Sequence, residues 1–484
     1  MIDTEALRKK VIDLAIQGKL TQQLPEDGNA EDLYAQIQKE KAKLIKEGKI
    51  KKEKPLPEIS DDEILFEIPS NWKWMRIADV VMNSLGGGTP SKNIPEYWND
   101  GDIPWVSVKD FSSAESGYLC DTIDHITQDG LDNSASNLID EDAIVICMRM
   151  ALGKIVRLSR PMAINQDLRA IWLYECINES YFVYFYSALK IVGRGTTVSG
   201  IRKEELMNFL IPLPPLSEQK RIVEKLNDVL AQIDIIDALQ QQYESDREIL
   251  KGKIIDAGIR GKLTEQLPED GDAEDLFAQI QAEKAKLIKD GKIKKEKPLP
   301  EISNDEIPFE IPSNWKWVRW GNIVNVVSAR RVHQADWRDE GIPFYRAREI
   351  AVLADTGVVN NDLYISEGLY NDFSESGVPQ AGDLMVTGVG TLGKTYVVQE
   401  NDRFYYKDAS VLCFENYANV NSDFLKRVME SRLMRSQINS NSGGTTVDTL
   451  TMVRMNQYVL PLPPREEQKR ISNTINELLS LITE

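Results

Sequence analysis

The sequence predicts an α+β protein: two mixed α/β domains separated by long antiparallel coiled-coil helices, arranged as a circular internal repeat with pseudo-twofold symmetry. Three observations carry this reading. A 58-residue segment beginning at Gly18 returns at Gly261 with eight differences, an offset of 243. Apolar residues follow each of the paired segments "PLPPLSEQKRI" and "PLPPREEQKRI" at heptad spacing. The stretches between the shared blocks diverge, and both are rich in short strand patterns and turn residues. Two units are too few for a solenoid, so the pattern is that of a duplicated module.

Composition bounds the rest. At 484 residues the chain exceeds what one core supports, and its 42% apolar content is that of a globular protein. No window is apolar enough to span a membrane and "MIDTEALRKK" is no signal peptide, so a cytoplasmic protein is expected. The four cysteines are scattered without a C-x-x-C, which fits a reducing compartment. Two histidines leave little material for a metal site or Ser-His-Asp chemistry. A net charge of −18 argues against a protein that coats nucleic acid, though not against local basic surfaces.

Taken in order, residues 1–20 form an N-terminal helix in which Leu7, Val11 and Leu14 match Leu250, Ile254 and Ala257. That match makes the repeat circular, because 1–20 completes the helix that the C-terminal segment 464–484 begins with Ile471, Ile475, Leu478 and Ile482. Residues 21–69 hold a shorter helix from Asn29 to about Gly48 and the linker "KIKKEKPLPEI", whose charges read as a solvated face or, more sharply, a phosphate contact. Residues 70–214 are the first domain. The central helix, 215–262, is expected to be capped by Ser217, with a seam at Ile222, Leu226, Val229, Ile233, Ile236, Tyr243, Leu250, Ile254 and Ala257, interrupted at Gln240 and Arg247. Helix and linker repeat over 263–312, with a capping residue at Asp272, and 313–463 is the second domain. Such a helix of about 45 residues is a rod of roughly 65 Å, comparable to two turns of DNA.

The segment "GVGTLGKT", residues 388–395, fits the phosphate-cradling pattern G-x-x-x-x-G-K-[ST]. A P-loop needs a strand before it and a helix after. Here "YVVQENDRFYYKDASVLCF" follows, with strand patterning, and the aligned "CMRMALGKIVRL" of the first copy keeps only Leu152, Gly153 and Lys154. A glycine turn between two strands is the better account. Comparison of the inserts also separates frame from variable tips. Trp98, Ile103 and Pro104 recur as Trp337, Ile342 and Pro343, while "GGGTP" becomes "SARRVHQ" and Lys109 gives way to Arg348.

Four features stand out together: "GGGTPSKNIPEYWNDGDIPWVSVKD", "INQDLRAI", the paired "PLPPLSEQKRI" and "PLPPREEQKRI", and "GKLTQQLPEDG" with its copy. In these the chain resembles the specificity subunits of type I restriction–modification systems. The second insert departs from the pattern, lacking the G-x-TP loop and carrying "YYKDASVL" in place of the NQD element. The resemblance implies two target recognition domains, each reading half of a split, asymmetric sequence in double-stranded DNA, with the helices setting the spacer. It implies two methyltransferase subunits and restriction subunits as partners. No cofactor is implied for this chain itself: S-adenosylmethionine belongs to the methyltransferase partner, ATP and Mg to the restriction partner. No [N/D]-P-P-[Y/F/W] tetrapeptide and no convincing nuclease carboxylate cluster occurs, so neither a catalytic residue nor a metal ligand is expected.

In the first insert the candidate DNA contacts are the loop Gly86, Gly87, Gly88, Thr89 and Pro90, with Lys92, Tyr97, Lys109, Asn165, Gln166 and Arg169. Glycines permit close backbone approach, amides pair with adenine edges, and Arg and Lys suit guanine or phosphate. Asn165 and Gln166 are equally suited to structural capping, and Trp98, Trp105, Ile103 and Pro104 read as core. In the second insert the candidates are Arg330, Arg331, Arg346 and Arg348, the last two at i, i+2 on an expected strand. The rival readings are an ATP-binding enzyme built on residues 388–395 and a protein-interaction scaffold.

Overall fold

The computed structural model describes residues 1–52, 56–115, 117–141, 143–194, 199–375, 377–440 and 449–482. The shared "GTTV" segments and part of the first lysine-rich linker lie outside them. The chain divides into two units, Met1–Gln241 and Gln242–Glu484. One helix of 44 residues, Leu216–Ile259, belongs partly to each.

In the first unit the helix Thr4–Ile16, capped by the Asp3 carboxylate, runs antiparallel to the start of the long helix. Ile2 N donates to Gln240 Oε1 at 2.6 Å, and Arg8 bridges Asp234 at 2.5 Å and Asp237 at 2.9 Å. The second unit repeats this with the other end of the long helix and the helix Arg465–Leu481. There a Cβ on Gly258 would meet Ile471 and Ile475 at 3.2 and 2.6 Å. Gly258 leaves room for those two side chains where the first unit has the buried Ala15. The shorter helices are Ala30–Lys46 and Ala273–Lys289, capped by Asn29 and Asp272 and followed by Gly48 and Gly291 in the left-handed region.

The shared E-Q-K-R motif at the start of each long helix explains why frame and insert dock alike. The Glu218 carboxylate, fully buried, accepts from Trp72 Nε1 at 2.9 Å, Gln23 Nε2 at 3.0 Å and Asn71 Nδ2 at 3.2 Å. Gln219 accepts from Asn178 N at 2.8 Å and donates to Pro214 O at 2.9 Å, tying the insert's own helix Glu179–Ala188 to the frame. Arg221 pairs with Asp27 and holds that carboxyl down at about 2. Glu467, Gln468 and Arg470 repeat these contacts with Trp315, Asn421 and Asp270.

The strands of the first unit are β1 (Lys73–Arg76), β2 (Val81–Gly86), β3 (Ile103–Val106), β4 (Tyr118–Leu119), β5 (Asp124–Ile126), β6 (Asn137–Ile139), β7 (Ile144–Cys147), β8 (Ile155–Leu158), β9 (Met162–Ile164), β10 (Leu168–Leu173) and β11 (Leu210–Leu213). β1 and β11 pair antiparallel at the neck of the insert. Within it a sheet of order β2-β10-β7-β8-β4 and a sheet of order β5-β3-β9-β6 share a core that includes Val106, Val145, Ile164 and Ala170. The second unit has β12 (Lys316–Arg319), β13 (Asn325–Ser328), β14 (Ile342–Tyr345), β15 (Tyr364–Ile365), β16 (Leu384–Thr387), β17 (Thr395–Val397), β18 (Tyr405–Tyr406), β19 (Val411–Glu415) and β20 (Val459–Leu462). Its neck is β12 with β20, and its sheets are β13-β19-β16-β17 and β15-β14-β18. Among the described residues no helix is long and apolar enough to cross a membrane.

Three expectations are corrected. Ser217 is not the cap of the long helix: the helix begins at Leu216, and Ser217 Oγ donates instead to Asp27 O at 3.3 Å. The heptad seam is buried only near its ends. Ile222, Leu226 and Ile233 are core, but Tyr243 and Leu250 are 56% and 43% exposed, and beyond them Ile255 and Ile259 are buried in place of Ile254 and Ala257. A 3.6-residue helix drifts about 20° per heptad against a 3.5 repeat, so a stripe read at strict heptads rotates off the buried face over four to five heptads. Arg346 and Arg348 do not lie on a strand. β14 ends at Tyr345, and the helix Ala347–Thr356 begins directly after Arg346.

Residues 388–394 connect β16 to β17, which begins at Thr395; the two strands pair antiparallel, Leu384 opposite Val397. Thr387 N donates to Lys394 O at 3.0 Å, as Cys147 N does to Lys154 O at 3.1 Å in the first unit. Gly393 and Gly153 both take positive φ. A strand follows the glycines, not a helix, and Lys394 is ion-paired with Asp355. The nucleotide-binding alternative loses its structural context.

Candidate nucleic-acid interface

Two parallel strands place the first site. β3 and β9 pair in parallel, Val106 opposite Ile164, so the segments leaving their C-terminal ends emerge together. After β9, Asn165 N donates to Val106 O at 3.0 Å, and the Asn165 side chain, 6% exposed, turns back to accept from Asp167 N at 2.9 Å. Asn165 is thereby placed as a turn cap, whereas Gln166 beside it is exposed. After β3, Lys109 is exposed in the 3-10 turn Val108–Ser113.

The glycine loop lies against this turn. Gly86 ends β2 opposite Arg169 of β10. Gly88 N donates to Ile164 O at 3.0 Å, while Gly88 O accepts from Ser136 Oγ at 2.7 Å and Trp105 Nε1 at 3.1 Å. Asn137 Nδ2 donates to Gly86 O at 2.7 Å. Thr89 Oγ1 donates to Gln166 Oε1, which joins loop to turn, and Pro90 is buried. Arg169 is half-buried, its Nη1 is 3.4 Å from Ser84 Oγ, and burial pulls its guanidinium below the ordinary value. The structure thus gathers Gly86, Gly87, Gly88, Thr89, Gln166 and Arg169. Exposed Lys92 and half-buried Tyr97 lie in the following loop, tied down where Trp98 Nε1 donates to Ser91 O at 3.1 Å and Trp98 packs edge-on to Trp105.

The second unit builds the same place from other chemistry. β14 and β18 are parallel, Tyr345 opposite Tyr406, and Lys407 N donates to Tyr345 O at 2.9 Å. The loop after β13 is joined to the turn after β18 by Arg331, whose Nε donates to Asp408 Oδ2 at 2.9 Å. Arg330 N donates to the Tyr405 hydroxyl at 2.9 Å, and its guanidinium stacks 4.7 Å over the Phe373 ring. Arg346 and Arg348 converge on Glu349 and Asp362. Burial alone pushes the Glu349 carboxyl up, but the two arginines and the Arg346 amide prevail and hold it below its ordinary value. Asp408 escaped the sequence reading. Only the structure sets it at the place of Gln166, since Lys407 N and Asn165 N make the same backbone bond; letter for letter, "YYKDASVL" puts it against Asp167 of "INQDLRAI".

Among the described residues no cluster of three or more His, Cys, Asp or Glu is placed to hold a metal. The four cysteines are free thiols, three of them buried.

Two mixed α/β inserts on a duplicated helical frame, each with two sheets and each presenting a joined loop and turn, define a two-module recognition protein. The family follows from comparison with known proteins. Residues 69–245 and 312–484 match the type I restriction modification DNA specificity domain, and the chain belongs to that family. It is 27% identical to the type I restriction enzyme EcoAI specificity subunit of Escherichia coli, over 98% of this chain and 88% of the relative. It is 24% identical to the EcoEI specificity subunit of the same organism, over 98% and 89%. The fold is shared with a chain of a solved type I R-M system studied for its complex assembly and conformational transition. That match has a TM-score of 0.53 at 17% identity, covering 86% of this chain and 92% of the other.

Proposed function

We propose that the chain is the DNA sequence-recognition subunit of a cytoplasmic type I restriction–modification complex, with no catalytic chemistry of its own. Each recognition domain, 70–214 and 313–463, reads one half of an asymmetric bipartite site. The helical segments 1–20, 215–262 and 464–484 set the spacer, and with the frame segments 21–69 and 263–312 they dock two methyltransferase subunits. S-adenosylmethionine serves that partner, and ATP and Mg the restriction partner. The observation that carries this reading is the pair of equivalent loop–turn sites on near-identical frames, since one backbone scaffold with unlike polar side chains is what two half-site readers require.

In the first half-site the readers are residues 86–90, Lys92, Tyr97, Lys109, Gln166 and Arg169, with Asn165 capping the turn that presents Gln166; in the second, Arg330, Arg331, Arg346 and Arg348. The last pair would exchange Glu349 and Asp362 for phosphate on binding. The test is to sequence methylated DNA from cells expressing this chain with its methyltransferase partner. A single bipartite motif that appears only with this chain is expected, and Gln166→Ala or Lys109→Ala should relax one half of it. Methylation that is independent of the chain, or loss of both halves in a normally folded variant, would refute the assignment.

A further inference from the structure

The two loop–turn sites share one backbone hydrogen bond and a side-chain clasp, but the clasps differ in chemistry. Thr89 and Gln166 are neutral, while Arg331 and Asp408 are an ion pair, yet each couple joins the same loop to the same turn. The backbone bond anchoring the turn survives the change, at 3.0 Å from Asn165 N and 2.9 Å from Lys407 N. The fold therefore demands neither couple, and what differs is what the couple offers to a ligand. Resting on the DNA-recognition reading, we infer that this clasp sets half-site identity: Asp408 positions Arg331 to read a guanine in the second half-site, as Thr89 positions Gln166 to read an adenine in the first.

The bonding arithmetic supports both assignments. Asp408, with its side chain 18% exposed, grips Arg331 at Nε, whereas the Arg331 side chain is 69% exposed. Its two terminal nitrogens keep no partner among the described residues, and that end-on fork matches the O6 and N7 acceptors of guanine. A carboxylate behind the guanidinium also removes rotamer freedom that binding would otherwise have to remove. The loop beneath is fixed independently by the Arg330 amide on Tyr405 and the Arg330 stack on Phe373. In the first unit the Thr89 hydroxyl takes one lone pair of Gln166 Oε1. The second lone pair and the Nε2 hydrogens remain, which is the acceptor–donor pair that adenine N6 and N7 call for.

The experiment reads genome-wide methylation directed by the full chain with its methyltransferase partner, for wild type, Asp408→Ala, Arg331→Lys and Gln166→Ala. The wild-type motif should contain a guanine in the second half-site. Asp408→Ala and Arg331→Lys should lower discrimination for that guanine roughly tenfold and leave the first half-site unchanged, which also reports folding. Gln166→Ala should relax one adenine of the first half-site only. Should Asp408→Ala abolish all methylation, Arg331→Lys decides, since it keeps the charge and loses the fork. A second half-site without guanine, or one read with undiminished strictness by Arg331→Lys, overturns the inference and leaves the recognition reading standing. A wild-type chain that directs no sequence-specific methylation overturns both.

Discussion

Gly87 has no room for a side chain: a Cβ there would lie 2.0 Å from Ile164 O and 2.4 Å from Asn165 O. Both obstacles are backbone held by the β3–β9 pairing, so an added methyl must displace the loop and cannot turn aside a flexible group. Gly87→Ala is therefore expected to cost about 1–3 kcal/mol and to pull Thr89 away from Gln166. Methylation should lose strictness in the half-site read by the first domain only, with a melting temperature a few degrees lower; an unchanged motif would show that the loop is not part of the reader. That glycines permit close approach was legible in the residues themselves. What they approach was not, because Ile164 and Gln166 lie 77 positions along and meet the loop only through sheet topology. Asp408 was hidden for the same reason, since a lone aspartate in "YYKDASVL" gives no sign that Arg331 will reach it.

At the scale of elements, the start of β16 carries a buried carboxyl whose titration opposes that of the frame. Asp383 accepts from Gln380 N at 2.8 Å and Asn416 N at 2.9 Å, yet burial pushes it up to about 6. Its folded value lies above the ordinary one near 4, so the native state binds the proton more tightly. The stability it supplies is fully present below about pH 4 and is lost as pH rises through 6. The stability gap between wild type and Asp383→Asn should move toward the variant by on the order of 2 kcal/mol between pH 4 and pH 7. Subtracting the two profiles cancels groups such as Asp27, which titrates in the opposite sense, and parallel profiles would refute the assignment. The misread strand at Arg346–Arg348 has an element-scale cause as well. The i, i+2 spacing was carried over from the preceding strand, whereas "AREIAVLADTG" holds helix formers, buries Ile350 and Leu353 on one face, and ends at Gly357 with φ +72°.

Over the whole molecule the frame was legible because the chain repeats it: two copies of the Glu-Gln-Lys-Arg start, two tryptophans that donate to the glutamate, two glycines, Gly18 and Gly261, packed against Pro69 and Pro312. The variable surfaces were not, since one chain offers a single example of each. Charge is the remaining property that belongs to the molecule as a whole. Both inserts are acidic, with 13 basic against 18 acidic residues over 70–210 and 15 against 17 over 313–460, and the larger part of the net −18 lies in the frame. Several of the arginines are already committed to carboxylates, Arg331 to Asp408 and Arg346 to Glu349 among them. Each phosphate neutralised contributes a slope of about −0.9 to the dependence of log affinity on log salt. A reader built from a few hydrogen-bonding groups on an acidic body should therefore bind specific duplex weakly, with a slope no steeper than about −3. Assembled with its methyltransferase partner, the same chain should bind the same duplex with a distinctly steeper slope, because the partner supplies most of the phosphate contacts. Titrations of one duplex from low to physiological salt, with and without the partner, measure both slopes. Equal slopes would mean that this chain holds the DNA backbone by itself, and that its acidic balance conceals a basic track that neither insert's composition displays.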